Sequence, residues 1–418
     1  MRNQTAQALA QLAATFVTLI LSLAPSAGAQ TLKVLHNFGV TANDGNIPYS
    51  GLTADAAGNL YGTTLEGGAE NLGTVYRLKP TSNGNYEETV LYSFKGGSAD
   101  GANPHAPLFM DGAGNLYSTT AAGGMNATVC SSSLPRPGCG VVFKLTPTIS
   151  GEWKETVLHR FTGADGGNPY SGLVRDTKGN FYGATLLGGS KGLGTVYRLS
   201  LTSTGWKETV LHSFTGNPDG AEPFLDCTTL VLDSQGDIYG STYLGGTADA
   251  GIVFKLTPQA SGAWTEKILY TFKGGADGTK PFTGVILDKS GNVFGTTLQG
   301  GTLRYGTVFK LTAAKEYAKT TLHNFGLSDI AKGFPNGLIL DASGNLYGTT
   351  EYAAYKLTPS STSWSETLLW GWDISEVQNG ISLFAPLTRD AHGNLWSTTV
   401  WGGQAGSTTG GVAWELIP

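Results

Sequence analysis

Short runs of apolar and β-branched residues recur along the chain, separated by turns rich in glycine, proline and asparagine. One copy of the pattern contains the runs 284–287, 293–297 and 307–311. Each run has the length of a β-strand, and no long window repeats apolar residues at the 3.6-residue spacing of an amphipathic helix. The pattern therefore predicts an all-β protein.

An aspartate at the end of one run marks each copy, and Gly with Asn or Asp follows it three and four residues later. The seven aspartates are Asp55, Asp111, Asp176, Asp233, Asp288, Asp341 and Asp390. The motif Asp-x-x-Gly-Asn is typical of a hairpin, because the Asp side chain bonds nearby backbone N–H groups and Gly accepts positive φ. We therefore expect the runs that flank each aspartate to be antiparallel neighbours.

Each copy contains four such runs, which we name strands a, b, c and d in chain order. By subtraction of the aspartate numbers, the copies follow one another at intervals of 49 to 65 residues. Seven units of four antiparallel strands match the blades of a β-propeller. A parallel β-helix is the alternative, although its rungs need no hairpin at each aspartate. The glycine within strand b is expected to let the neighbouring blade approach closely.

The two ends of the repeat region are out of phase in a way that favours a closed ring. A d-type strand opens the region at 32–38, and a c-type strand ends it at 412–417. Pairing them would complete the last blade and leave no exposed edge strand. Strand c usually carries Lys or Arg, but the last copy has Glu415 and the incoming strand brings Lys33, so the charges are exchanged. The sequence predicts one seven-bladed propeller over residues 30–418.

Residues 1–29 have the features of a secretory signal peptide. Arg2 is followed by an apolar run over 12–24 and by the small-residue site Ala27-Gly28-Ala29. We expect cleavage after Ala29 and a secreted or periplasmic protein. An uncleaved membrane anchor is the alternative, but the apolar run is shorter than the roughly 20 residues that a spanning helix needs. No transmembrane segment is predicted in the mature chain, and no C-terminal anchor is recognised.

Charge and cysteine content narrow the range of partners. The net charge is −5, and Lys and Arg are scattered rather than clustered, so nucleic acid is not an expected partner. Cys130 and Cys139 lie in one loop, and in an exported protein this pair predicts a disulfide rather than a zinc site, which would lack ligands. Cys227 stands alone. We expect a monomer without a cofactor.

The repeat resembles a known family. The pattern Asn-Leu-Tyr-Gly-Thr-Thr, a Gly-Gly step and Gly-Thr-Val-Phe/Tyr-Lys/Arg-Leu recurs over residues 31–418. It is similar to the GloVer tandem repeat of secreted and cell-surface bacterial proteins. The resemblance implies export and a repeat domain, often held by a sorting anchor, and it implies no activity for any residue.

Two sets of polar residues are interpreted as structural. His36, His159, His212 and His323 share one position in strand d with Tyr92, Tyr270 and Trp370, which favours a flat, partly polar side chain over a metal ligand. A second acidic set lies in the d-to-a loops: Asp44, Asp100, Asp165, Asp219 and Asp277. One carboxylate per loop is too few for calcium, so no metal site is predicted.

The d-to-a and b-to-c loops emerge at the same end of each blade, and aromatic residues recur there. The candidate binding residues are Tyr49, His105, Tyr170, Phe224, Phe282 and Trp401. Aromatic rings at a channel mouth offer flat apolar faces that stack on sugars. The alternative is that they pin each loop onto its blade. The b-to-c loop is long in repeat 2 and short in repeat 6, nearly opposite, so we expect a cleft on this face.

Three functions of different class follow. The first is a non-catalytic exported binding module, with an extracellular glycan as its ligand. The second is a propeller hydrolase or lyase acting on polysaccharide or lactone, although no nucleophile elbow, His-Glu-x-x-His pair or phosphate loop is present. The third is a structural component of the cell envelope. A cluster of His and carboxylates in the channel would favour the enzyme.

Overall fold

The computed structural model describes residues 30–125, 130, 137–326, 333–372, 377–380, 382–405 and 410–417. These residues form seven four-stranded antiparallel sheets arranged as the blades of a β-propeller, as predicted. We number the blades 1 to 7 by their hairpin aspartates, from Asp55 to Asp390. The predicted signal peptide, 1–29, lies outside the described residues.

The strands follow the order a-b-c-d across each blade. Strands a are Thr53–Ala54, Phe109–Met110, Val174–Arg175, Val231–Leu232, Ile286–Leu287, Pro335–Leu340 and Thr388–Arg389. Strands b are Leu60–Thr64, Leu116–Thr120, Phe181–Thr185, Ile238–Thr242, Val293–Thr297, Leu346–Thr350 and Leu395–Thr399. Strands c are Thr74–Pro80, Val141–Pro147, Thr195–Thr202, Ile252–Pro258, Thr307–Thr312, Ala353–Pro359 and Val412–Ile417. Strands d are Tyr86–Ser93, Trp153–Arg160, Gly205–Ser213, Trp264–Thr271, Ala318–Asn324, Trp364–Gly371 and Thr31–Asn37.

Short elements decorate the loops. Two-stranded ladders join Gly45–Asn46 to Glu66–Gly67, Gly101–Ala102 to Ala122–Gly123, and Gly220–Ala221 to Leu244–Gly245. The 3₁₀ turns are Gly275–Asp277, Ala313–Lys315, Val377–Asn379 and Gly403–Ala405. Across the described ranges, no helix has the length and apolar character to span a membrane.

The hydrophobic core lies between the blades rather than within one layer. All five residues of every strand b are buried, because each blade is covered on both faces by its neighbours. Apolar side chains of adjacent blades meet in seven clusters; at one of them, Phe214 of blade 3 packs 5.2 Å from Phe254 of blade 4. Seven interfaces therefore hold seven blades.

The glycine of strand b has a different role from the predicted one. In blade 1, Gly62 pairs with Tyr76 of strand c, and a Cβ on Gly62 would overlap the Tyr76 side chain. Gly183 and Tyr197 repeat the arrangement in blade 3. The glycine thus makes room for an aromatic ring on the next strand of its own blade, not for the neighbouring blade.

The ring is closed as predicted. Strand Thr31–Asn37 pairs antiparallel with Val412–Ile417, with Thr31 opposite Ile417 and Asn37 opposite Val412. Lys33 stands opposite Glu415, but its ammonium donates to the carbonyl of Gly84 in blade 1 and lies 5.5 Å from the centre of the Tyr86 ring. The incoming strand therefore binds blade 7 through its backbone and blade 1 through a side chain.

The hairpin aspartates have the structural role that the sequence favoured. Oδ1 of Asp55 accepts the backbone N–H groups of Ala57 and Asn59, both at 2.9 Å. The same two bonds recur in five further blades, at Asp111, Asp176, Asp233, Asp288 and Asp341. These carboxylates are occupied by their own turns.

Candidate functional site

Five of the six predicted aromatic residues lie side by side where the d-to-a loops enter strand a. Tyr49 contacts His105 with ring centres 4.0 Å apart, His105 contacts Tyr170 at 4.6 Å, Tyr170 stacks on Phe224 at 4.7 Å, and Phe224 stacks on Phe282 at 4.8 Å. The residues come from five consecutive blades. Because strand a is the innermost strand of a propeller blade, they follow the mouth of the central channel.

A sixth member, Phe384 of blade 7, was not predicted. It stacks on Tyr49 with ring centres 5.5 Å apart and planes 2° from parallel. The sequence signal was the residue after the loop proline, but blade 7 has Leu383 in place of that proline. We call these six residues the aromatic arc. Blade 6 contributes no ring to the arc, since Asn336 follows Pro335 there.

Exposure differs along the arc. His105 and Tyr170 are buried, with 6% and 8% of their surface exposed. The other four members are half-buried. Trp401 is 37% exposed and, within the described residues, takes no part in the ring contacts of the arc. Any ligand on this face would therefore meet the half-buried rings and not the two buried ones.

The d-to-a connection of blade 4 crosses the channel. Ten positions separate Pro223 from Asp233, whereas seven separate Pro169 from Asp176, so blade 4 carries three extra residues. We call residues 225–229 the channel loop.

Backbone and side-chain hydrogen bonds fasten the channel loop to several blades. The carbonyl of Thr228 accepts a hydrogen bond from the N–H of Gly172 in blade 3 at 2.8 Å. The Thr228 hydroxyl accepts one from the N–H of Gly284 in blade 5 at 2.6 Å. The N–H of Asp226 donates to the carbonyl of Phe282 at 3.0 Å. The methyl group of Thr228 also lies against Gly337 of blade 6. The loop therefore narrows the channel beneath the arc.

The channel loop brings two reactive side chains to the arc. Asp226 Oδ1 lies 3.1 Å from Nδ1 of His105, and Cys227 Sγ lies 3.6 Å from the same nitrogen. His105, Asp226 and Cys227 are 6%, 1% and 0% exposed. Burial, followed by the nearby Asp226 charge, raises the pKa of the Cys227 thiol well above its ordinary value. Burial, together with Asp226 and Cys227, also raises the pKa of Tyr49.

This cluster was missed because its members are far apart in sequence. His105 and Cys227 are separated by 122 positions, and each belongs to a different repeat. One signal could have found it: the extra residues of blade 4 contain Asp and Cys, the only such pair in any d-to-a loop of the sequence.

A second polar system runs around the outer part of the same face. The histidine or tyrosine of strand d binds the aspartate of the following loop: His159 Nε2 lies 3.0 Å from Asp165, and the Tyr92 hydroxyl donates to Asp100 at 2.9 Å. Asp165 also accepts the N–H of Thr162 at 2.8 Å. The two sets that the sequence interpreted separately as structural are thus partners in one loop-fastening contact.

A half-buried glutamate of the next blade lies beside four of these pairs. Burial raises the pKa of Glu88, Glu155 and Glu266 to about 7 and that of Glu208 to about 8. Negative loop aspartates add to the shift in Glu155 and Glu208. These carboxyl groups therefore hold protons near neutral pH.

The walls of the face are partly described. Cys130 and Cys139 form the predicted disulfide, which indicates an oxidising environment. Most of the long b-to-c loop of repeat 2, 126–129 and 131–136, lies outside the described residues, so the expected cleft stays a prediction.

Two surface depressions lie at the opposite end, between neighbouring a–b hairpins. One of 510 Å³ is lined by Asp233 and Asp288, and one of 690 Å³ by Asp55 and Asp111. Their carboxylates already bind the hairpin backbones, as described above. The carboxylates of these depressions are therefore less available to a ligand than that of Asp226 in the channel, which does not belong to an a–b hairpin.

The fold and the channel define the class of the protein: a ring-closed, seven-bladed propeller whose inserted loop carries a buried polar cluster. The chain belongs to the Gloeobacter/Verrucomicrobia repeat family, whose model matches residues 18–131, 127–356 and 265–416. This confirms the resemblance seen in the sequence. A search of curated proteins finds no match.

Solved structures share the fold at low identity. A catalytically inactive virginiamycin B lyase from Staphylococcus aureus, with quinupristin, is 14% identical with a TM-score of 0.52, over 93% of this chain and 99% of that one. A PL25 ulvan lyase bound to a saccharide is 10% identical with a TM-score of 0.52, over 90% and 97%. The extracellular domain of a protein proposed to be a one-component system of B. thetaiotaomicron is 12% identical with a TM-score of 0.57, over 91% and 39%. Roles this varied show the propeller fold alone.

Proposed function

We propose that the protein is an exported binding module that holds a saccharide over the aromatic arc at the mouth of its channel. The observation that carries the proposal is the arc itself. Six consecutive blades place an aromatic ring at the same point, and four of the six rings, Tyr49, Phe224, Phe282 and Phe384, keep part of their surface free.

The chemistry of the arc suits a neutral sugar better than an ion or an acidic polymer. Flat aromatic faces stack on the C–H faces of a pyranose, and the Tyr49 hydroxyl can exchange hydrogen bonds with sugar hydroxyls. Because burial and the neighbouring acidic groups raise the pKa of Tyr49, this hydroxyl stays a neutral donor and acceptor. The signal peptide over 1–29 and cleavage after Ala29 are part of the proposal, as is a monomeric state.

A glycan-array screen of residues 30–418, followed by calorimetry of the glycans that bind, tests the proposal. We expect Phe224→Ala to weaken binding by about 1–3 kcal/mol, because a stacked aromatic anchor contributes on that order. Trp401→Ala tests the exposed residue that lies outside the arc, and we expect it to weaken binding less than Phe224→Ala does.

Phe109→Ala is the matched control. Phe109 is a half-buried phenylalanine of strand a in blade 2 that packs on Phe181, away from the arc. It should lower stability without lowering affinity. If Phe224→Ala lowers only the melting temperature, as the control does, the arc is a packing element and the proposal is wrong.

A second candidate function is a propeller hydrolase or lyase, and the buried cluster His105–Asp226–Cys227 favours it. A histidine and a carboxylate converging in the channel are the feature that the sequence analysis named for an enzyme. Incubating the protein with polysaccharides and lactones and assaying for new reducing ends, unsaturated products or released acid tests this candidate. Activity that survives His105→Gln would refute a role for the cluster.

A further inference from the structure

Among the described residues, four groups bring together three side chains able to ligate a metal ion. Three of them are the outer His–Asp–Glu sets, and their aspartates already bind loop N–H groups: Val40 to Asp44, Thr162 to Asp165 and Thr215 to Asp219. The fourth set, in the channel, is buried throughout and differs in its chemistry, since it contains a thiol.

We propose that His105, Asp226 and Cys227 form a transition-metal site, of the zinc type, that ties the channel loop of blade 4 to blade 2. The sequence analysis predicted no metal, because it could not bring these residues together.

The first argument is the direction of approach. The carboxylate and the thiol both lie next to Nδ1 of His105, at 3.1 Å and 3.6 Å. In a hydrolytic relay, the nucleophile and the acid occupy opposite nitrogens of the imidazole. Side chains that share a metal ion instead converge on one point with their ligand atoms.

The second argument is the spacing. A tetrahedral Zn²⁺ has bonds of about 2.3 Å to sulfur and about 2.0 Å to imidazole nitrogen, which place those two atoms about 3.5 Å apart. The same geometry separates nitrogen from a carboxylate oxygen by about 3.3 Å. The observed separations of 3.6 Å and 3.1 Å match both values.

The third argument is that the buried carboxylate of Asp226 has few hydrogen-bond donors. It is 1% exposed, and no hydrogen bond of acceptable geometry reaches either carboxylate oxygen from the described backbone or from Nδ1 of His105, which leaves the Cys227 thiol as its polar partner. An ionised carboxylate buried without hydrogen bonds is costly. A divalent cation bound at that oxygen, with the Cys227 thiolate, would remove the cost.

The fourth argument is preorganisation. Leu225 and Cys227, on either side of Asp226, adopt left-handed backbone conformations with φ of 42° and 52°. Such conformations in residues other than glycine are uncommon and collect at functional sites. The N–H of Thr228 donates to the carbonyl of Leu225 at 3.0 Å, so the turn that presents both ligands is fixed by its own hydrogen bond.

The ligand set selects the metal. Thiolate and imidazole favour zinc and its neighbours over magnesium or calcium, which prefer oxygen atoms alone. Three protein ligands leave a fourth position, as in zinc sites that bind water or a ligand. The Tyr49 ring lies 4.0 Å from that of His105, so a ligand at the metal would lie close to the aromatic arc.

The test uses the whole mature chain, treated with a chelator and then dialysed against Zn²⁺ or Co²⁺. We expect one equivalent of zinc by plasma mass spectrometry, and a thiolate-to-cobalt charge-transfer band in the near ultraviolet. Cys227 is the free cysteine of the three, so a thiol reagent reports on it alone, and zinc should protect it in the folded protein.

Cys227→Ser and Asp226→Asn should each lose the bound equivalent, and Cys227→Ser should lose the cobalt band. The matched control is His212→Gln in the outer set His212–Asp219–Glu266, which should keep both. Circular dichroism checks that each variant is folded. The proposal is overturned if the wild-type chain binds no zinc, if its cobalt form shows no thiolate band, or if binding survives Cys227→Ser. Rapid alkylation of Cys227 in zinc-saturated protein would overturn it too and indicate a free nucleophile.

Discussion

Replacing Asp176 by alanine removes four hydrogen bonds from the a–b hairpin of blade 3. Oδ1 accepts the N–H of Lys178 at 2.9 Å and that of Asn180 at 2.8 Å. Oδ2 accepts the Asn180 side-chain amide at 2.8 Å and the Tyr182 hydroxyl at 3.0 Å. Burial alone would raise the pKa of Asp176, but these hydrogen bonds lower it, so the hairpin binds the ionised form.

The magnitude follows from the number of bonds. A typical hydrogen bond contributes about 0.5–1.5 kcal/mol net, so Asp176→Ala should lower the free energy of unfolding by about 2–4 kcal/mol at this half-buried hairpin. Tyr182→Phe removes one of the four bonds and should cost about 1 kcal/mol.

Blade 5 supplies an internal comparison. Asp288 accepts the N–H groups of Ser290 and Asn292 and the Asn292 amide, but Phe294 stands where blade 3 has its tyrosine. Asp288→Ala should therefore cost about 1 kcal/mol less than Asp176→Ala.

Reversible urea unfolding at neutral pH, followed by tryptophan fluorescence, measures these differences from the shift in midpoint. In the double variant Asp176→Ala/Tyr182→Phe, the second change should add nothing, because its partner is already gone. The reasoning fails if Asp176→Ala stays within about 0.5 kcal/mol of wild type, the range of an ordinary surface substitution. It also fails if the losses in the double variant are additive.

Three further predictions concern the ring, the loop and pH. Deleting 30–38 removes the strand that pairs with Val412–Ile417, so the exposed edge should promote aggregation, measured by light scattering against the intact chain. Reducing Cys130–Cys139 should raise the intact mass by two hydrogen atoms and change the melting temperature little, because the bond closes a loop with a sequence separation of only 9; two free thiols in the unreduced protein would contradict it. Thermal stability should fall as pH rises from about 4.5 to about 7 or 8, because burial raises the pKa of Glu155 to about 7 and that of Glu208 to about 8, so that over this range the folded chain keeps protons that the unfolded chain has lost. It should also fall as pH drops below about 3.8, because the unfolded chain then takes up a proton at Asp176 that the folded chain, with its lowered pKa, does not yet bind. Glu208→Gln should weaken the alkaline decline; an unchanged profile would show that Glu208 does not cause it.

Local chemistry made most of the fold predictable. Asp-x-x-Gly-Asn specifies a hairpin from five adjacent residues, and seven copies with complementary ends leave a closed ring as the consistent arrangement. The glycine of strand b was misinterpreted because the side chain that needs its space, Tyr76 for Gly62, lies on a strand whose register depends on the whole blade.

The channel was less predictable, because it is the place where repeats depart from one another. Phe384 does not follow a loop proline, because Leu383 stands at that position, so the sequence pattern predicts Trp401 as the binding residue of the last repeat. His105 and Cys227 met only because the extra residues of blade 4 cross the channel. Repetition predicts what the blades share, whereas a site formed by one exceptional loop requires the three-dimensional arrangement.

The closing pair of strands also determines how the molecule would yield to force. Thr31 stands opposite Ile417, so the first residue of one strand and the last residue of the other lie at the same end of the antiparallel pair. Tension applied at these two residues pulls perpendicular to the ladder, so its hydrogen bonds break one after another rather than together. The propeller would thus unzip at blade 7 under a small load, while the same ring resists opening when no force acts on its ends.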